Sequence, residues 1–206
     1  MVNNQYHFVT VWRAQSTLEE ITEIVGDAPG LIRWWPSVYL ELKILEPGGQ
    51  DGVGKVIGLY TKGWLPYTLR WQFKVTEVNH PHGFTLEAWG DFVGRGIWTF
   101  EKEVESGGDD APNETGWIKI TYDWKINAEK PLLRYFSFIM KPIFSANHHW
   151  AMAMGAESLK LELARRHATS QAELALVPPP PGPTFTFLLP KGSVTTQMGP
   201  ADNRLR

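Results

Sequence analysis

The chain has 206 residues, enough for one ordinary domain and a tail, and a formal charge of −2 with no long run of either sign. Nucleic-acid binding rests on phosphate neutralisation by clustered Lys and Arg, so this charge pattern argues against it. There is no cysteine, which excludes disulfide frameworks, thiolate metal sites and cysteine nucleophiles and fits a reducing compartment.

Met1 to His7 carries neither a basic nor an apolar signal region, so no secretory leader is expected. Tyr6 to Ala14 then reads as a strand, rich in β-branched and aromatic residues. Ser16-Thr17-Leu18-Glu19 fits a capping box. Leu18, Ile21, Ile24 and Val25 follow at helical spacing, with Gly26 at the end. Asp27 is placed to cap a second short helix over Leu31 to Trp35, stopped by Pro36.

Six further strands are expected. Tyr39 to Leu45 and Lys55 to Thr61 flank a glycine-rich turn. Tyr67, Leu69, Trp71, Phe73 and Val75 alternate with polar residues, the clearest period-two pattern in the chain. Phe84 to Trp89 and Gly96 to Val104 precede a polar, acidic loop, Ser106 to Gly116. In Trp117 to Ala128, Ile118, Ile120, Tyr122, Trp124 and Ile126 share one parity. One buried and one wet face per strand marks an antiparallel sheet.

From Leu132 to about Ala168 the period becomes helical, with Phe136, Met140, Ile143, Asn147, Trp150, Met154 and Leu161 near one stripe. Pro142 is expected to kink this helix or split it. Arg165, Arg166 and His167 sit where the helix dipole favours cations. Arg134, Lys141, Pro142, His148 and His149 interrupt the most apolar long stretch, so no membrane span is expected. A cytoplasmic location follows as the expectation, and Asn113-Glu114-Thr115 is then a coincidental glycosylation pattern. The domain is expected to cover residues 1–168 and a proline-rich tail residues 169–206. Phe185, Phe187, Leu188 and Leu189 are apolar enough to dock onto the body or to support self-association.

Several apparent motifs fail on their mechanism. Gly49 to Lys55 approaches a phosphate loop, but Val56 replaces the magnesium-binding Ser/Thr and the segment leads into a strand. His80 and His82 have no third ligand at plausible spacing, so no metal site is expected, and nothing calls for another cofactor. His148 and His149 lie about 100° apart on a helix and cannot share a target. No Gly-x-Ser-x-Gly elbow exists, and Asp109 and Asp110 read as a solvated loop.

The unusual feature is aromatic content: ten Trp, ten Phe and six Tyr. Rings line ligand cavities as readily as they fill cores. The wall residues this singles out are Trp35, Tyr67, Trp71, Trp98, Phe100, Tyr122, Trp124, Met140, Asn147, Trp150 and Met154, with plain core packing as each one's alternative. Tyr67, Tyr122, Asn147 and His148 supply polar tips, and Tyr122 and His148 are the candidate proton donor and acceptor should chemistry occur. Asp91 and Arg95 have ambiguous parity.

Three segments carry a resemblance. They are Arg33-Trp34-Trp35-Pro36-Ser37-Val38, the strand Gly94-x-Gly96-x-Trp98-x-Phe100, and the helix run Asn147-His148-His149-Trp150 through Met154, Gly155 and Leu159. Over Tyr6 to about Ala168 the chain resembles the START-like superfamily, within it the polyketide cyclase/dehydrase-like group. His149 stands where that group often has Asp. The resemblance implies an α+β helix-grip fold, in which about seven antiparallel strands curl around a long C-terminal helix and two short helices follow the first strand. It also implies a hydrophobic small molecule (lipid, polyketide or aromatic compound) bound between sheet and helix. Only some members are cyclases, so two readings stay open: carriage of such a molecule, and acid/base chemistry on it. An interaction module built on the proline-rich tail is a third.

Overall fold

Alternating side chains put one face of β1 (Gln5–Ser16) in the core. Tyr6, Trp12, Ala14 and Ser16 are buried, while His7, Val9, Val11 and Arg13 point out. In the computed structural model, which describes residues 5–103, 115–128 and 137–186, two helices follow: α1 (Leu18–Gly26) and α2 (Leu31–Trp34). The α1 cap is Thr17, whose hydroxyl accepts from the Glu20 amide at 3.1 Å, one residue later than the box read from sequence. Asp27 closes α1 instead of capping α2, whose N-cap is Gly30 and has no side-chain cap.

Six strands complete the sheet: β2 (Tyr39–Glu46), β3 (Val56–Lys62), β4 (Thr68–Asn79), β5 (Gly83–Gly90), β6 (Phe92–Lys102) and β7 (Gly116–Ala128). Their order is β1-β7-β6-β5-β4-β3-β2, antiparallel throughout. The glycine-rich segment is the β2–β3 hairpin, with Gly48, Gly52 and Gly54 at φ between 76° and 83°. No helix starts there to hold a phosphate.

Helix α3 (Ser137–His167) runs unbroken through Pro142, near its N-terminal end, and fills the concave face of the curved sheet. This is the helix-grip arrangement the resemblance implies. A short α4 (Gln171–Leu176) and the proline run follow. Among the described residues no helix is long and apolar enough to cross a membrane.

The buried stripe of α3 differs in phase from the one drawn by hydrophobic spacing. Phe144, Met152, Gly155, Ser158, Leu159, Glu162 and Leu163 are buried, while Ile143, Trp150, Met154 and Leu161 are only half-buried. The cause is close packing. An added Cβ at Gly155 would lie 2.3 Å from the Trp35 ring, so small residues mark the contact line and large ones flank it.

At its C-terminal end α3 is tied to both short helices. The Glu162 carboxylate, 2 % exposed, receives two bonds from Arg33 at 2.6 and 2.7 Å and a longer one from Arg166 at 3.4 Å. Burial pushes the Glu162 carboxyl up, but these cations outweigh it and hold it below its usual range. Arg166 also reaches Glu23 at 3.2 Å, and His167 lies 2.9 Å from Glu20. Arg33, the first residue of the Arg-Trp-Trp-Pro-Ser-Val step, therefore acts as a clamp.

A two-chambered aromatic cavity

Between the sheet and α3 lies a chamber of about 130 Å³. A second, of about 400 Å³, lies between the sheet and α1–α2. Trp35, Tyr39, Trp71 and Tyr122 border both and form the partition. The period-two pattern of β4 and β7 puts these rings inside. Leu69, Trp71, Phe73 and Val75 are buried from β4, and the even-numbered residues from Ile118 to Ile126 are buried from β7.

The ring wall depends on missing side chains as well as present ones. A Cβ at Gly96 would lie 2.8 Å from the Tyr122 hydroxyl and 2.9 Å from the Trp124 ring, so only glycine lets these rings lie flat across β6. Tyr122 stacks on Trp98 at 4.1 Å and on Trp124 at 5.5 Å. The Trp71 indole N–H is satisfied by the Thr61 hydroxyl at 3.0 Å.

Of the residues singled out from sequence, Trp35, Tyr67, Trp71, Tyr122, Trp124, Asn147 and His148 line the first chamber. Trp98 lines the second. Phe100 is wholly buried against Phe84 and Trp98 and borders neither; Trp150 and Met154 border neither as well. The side chain of Met140 lies outside the described residues. Asp91 and Arg95 border neither chamber. Asp91 accepts from the Arg70 amide, and Arg95 lies 3.7 Å from Glu77. Sequence reasoning passed over Tyr6, Phe8, Tyr39, Phe92, Phe144 and Met152, which also line the first chamber. The parity of Tyr6 and Phe8 on β1, and the spacing of Phe144, His148, Met152 and Gly155, would have found most of them.

Lys62 brings one ammonium to the wall, its pKa lowered by burial, and the other polar tips are neutral. Burial raises the pKa of Tyr122 well above its ordinary value, and burial also raises Tyr39 and Tyr67. All three are proton donors at neutral pH and none is a base. Burial, then the neighbouring His149, lowers His148 to about 4. Its ring stacks on Phe8 at 4.1 Å. The buried His148 Nε2, Tyr6 hydroxyl and Trp35 indole N–H lack a hydrogen-bond partner among the described residues. Asn147 is engaged: its side-chain oxygen accepts from the Leu65 amide at 3.2 Å, holding the β3–β4 loop against α3. Among the described residues no carboxylate lines the first chamber.

No family model matches the sequence, and no curated protein does at a significant level. Solved structures do match the backbone. The Zhui aromatase/cyclase from Streptomyces sp. R1128 superposes with a TM-score of 0.57 at 14 % identity, covering 81 % of this chain and 98 % of that one. The fold is START-like. A START superfamily protein from Mycobacterium smegmatis matches at 0.52 and 15 % identity over 74 % of this chain and 98 % of its own. The protein TTHA0849 from Thermus thermophilus matches at 0.55 and 12 % identity over 79 % of this chain and 100 % of its own. At these identities the likeness carries the START-like architecture and nothing about ligand or reaction.

Proposed function

We propose that this START-like protein binds and carries a hydrophobic small molecule in the chambers between sheet and helices. The observation that carries the reading is the chemistry of the first chamber. It is walled by rings and edged by neutral donors and by the Lys62 ammonium, with no carboxylate among its described lining side chains. Three residues that line it, His148, Tyr6 and Trp35, each carry a buried polar atom with no partner among the described residues. Each costs about 1–3 kcal/mol unsatisfied, so a ligand bearing one or two polar groups would recover part of that.

Acid/base chemistry is the weaker reading for the same groups. A general base works best near the ambient pH, and a histidine at about 4 accepts a proton poorly at pH 7. Tyr122 can donate a hydrogen bond to a ligand oxygen but is too high to act as base. Orientation of a bound molecule uses both groups as they stand; proton transfer would need His148 raised by about two units or more. The Zhui aromatase/cyclase shares the backbone, but at 14 % identity that likeness does not favour cyclisation here.

The size of the chambers narrows the ligand. A cavity of about 150 Å³ takes a benzene-sized molecule, so the first chamber alone suits one ring. A larger body would extend past the partition into the second. Titration with neutral apolar probes such as Nile red, which is larger than one ring and would span both chambers, should show saturable binding at micromolar affinity or better, about −8 kcal/mol. Tryptophan fluorescence should change in step. Failure of several chemically distinct probes would identify the rings as plain core.

A further inference from the structure

The chain after α3 returns to the body at one place. Arg165 donates to the carbonyl of Pro178. Six residues later Thr184 is held against the β3–β4 loop, which the proline run reaches as an extended segment of about 19 Å. The Lys62 ammonium, at the end of β3, donates to the Thr184 carbonyl and to its hydroxyl at 3.1 Å. The same hydroxyl lies 3.3 Å from the carbonyls of both Gly63 and Trp64. Lys62 also sits 5.6 Å from the centre of the Phe185 ring. Lys62 is 3 % exposed and has no ion pair among the described residues, so these contacts to the tail carry its polar satisfaction. Phe187, Leu188 and Leu189 lie outside the described residues.

The loop held in this way is a wall of the first chamber. Gly63 and Tyr67 line it, and the Tyr67 ring meets Phe144 of α3 edge-on at 6.2 Å. From the chamber side the loop is fixed by the Leu65 amide on Asn147. A second hold on the loop comes from Thr184. A molecule entering between loop and α3 has to part the loop from Asn147, and the Thr184 contacts oppose that movement.

We propose that the C-terminal segment from Pro178 to Phe185 is a strap that keeps the β3–β4 loop closed over the first chamber, so that Lys62–Thr184 pairing sets how fast a ligand enters and leaves. The proposal rests on the chamber being a binding site only for its kinetic half. The mechanical half stands on the contacts alone.

Two measurements on the full chain test it. Hydrogen exchange of the loop amides of Gly63, Trp64, Leu65 and Tyr67 should accelerate about tenfold in Lys62→Met, the effect of losing charge-assisted bonds that hold a local closed state, with the β7 amides unchanged. Thr184→Val, which removes only the hydroxyl contacts, should give a smaller acceleration in the same amides. In stopped-flow mixing with Nile red, association and dissociation rates should both rise in Thr184→Val, which leaves the chamber lining intact, whereas Lys62→Met also alters the wall. The equilibrium constant should change much less than either rate. Unchanged loop exchange in both folded variants would overturn the strap. Faster exchange with unchanged probe rates would overturn its role as a gate. A wild type that binds no probe would overturn the binding reading and the gate, while the exchange experiment would still decide whether the strap holds the loop.

Discussion

Replacing Gly155 by Ala puts the helix–ring contact under a defined load. The new methyl would sit 2.3, 2.6 and 2.7 Å from three atoms of the Trp35 six-membered ring. The ring borders both chambers and can yield only by breaking its present ring contacts. It is 3 % exposed and wedged among Trp12 at 5.4 Å, Trp34 at 5.4 Å and Tyr39 at 5.3 Å. In an exposed helix the substitution would stabilise by about 1 kcal/mol through propensity. Here overpacking of about 1–3 kcal/mol opposes it, and the 2.3 Å approach places the cost at the upper end, for a net loss of about 1–2 kcal/mol. With a urea m-value of about 2 kcal/mol/M, the midpoint should fall by about 0.5–1 M. Gly26→Ala is the internal control. That glycine ends α1 in the open, with nothing within 4 Å of an added Cβ, and its replacement should be neutral or stabilise by up to about 1 kcal/mol. Urea unfolding followed by tryptophan fluorescence reads both. A Gly155→Ala protein as stable as wild type would refute the close approach of α3 to Trp35 and, with it, the phase assigned to the helix.

Three further outcomes follow from other contacts. Arg33→Ala leaves the buried Glu162 carboxylate with only its weaker Arg166 and Arg165 partners and should cost about 2 kcal/mol in urea unfolding; no loss would show the clamp to be idle. Trp98→Ala removes a buried ring stacked on Tyr122 and should cost about 3–5 kcal/mol, a loss far below that placing the ring in a looser environment. His148 stays neutral in the fold down to about pH 4, whereas the unfolded chain protonates it near 6.5. Its contribution to stability is therefore present above pH 6.5 and lost as pH falls towards 4, by at most about 3 kcal/mol. The decline in unfolding free energy from about pH 7 to about pH 4.5 should be shallower in His148→Gln than in wild type, and equal slopes would contradict the buried, neutral ring.

The sheet was legible because its strands are wet on one face and apolar on the other. Period two survives in β1, β4 and β7, and with it the ring-bearing parity that puts Trp71, Tyr122 and Trp124 inside. The helix was harder. Its contact line runs through Phe144, Met152, Gly155 and Ser158, with the close approach at Gly155, while Trp150 and Met154 carry more hydrophobic weight and lie to one side. A reading weighted by apolar size rotates such a helix away from its true face. The partition between the chambers was also hidden. Tyr39 opens β2, whose remaining residues are largely exposed, so no pattern marks it as a cavity wall. Nor could pairing of Lys62 with Thr184 be read from sequence, since the two lie 122 positions apart and neither belongs to a motif.

Nile red titration of wild type against Ala151→Phe puts the central claim to its most direct test. Ala151 lines the first chamber from α3, and a ring at that position would occupy much of its roughly 130 Å³. The wild type should bind one probe saturably, and Ala151→Phe should lose about tenfold or more in affinity while keeping a cooperative unfolding transition. Equal affinities in the two folded proteins, or no binding in the wild type, would contradict the account of a ligand held between the sheet and α3.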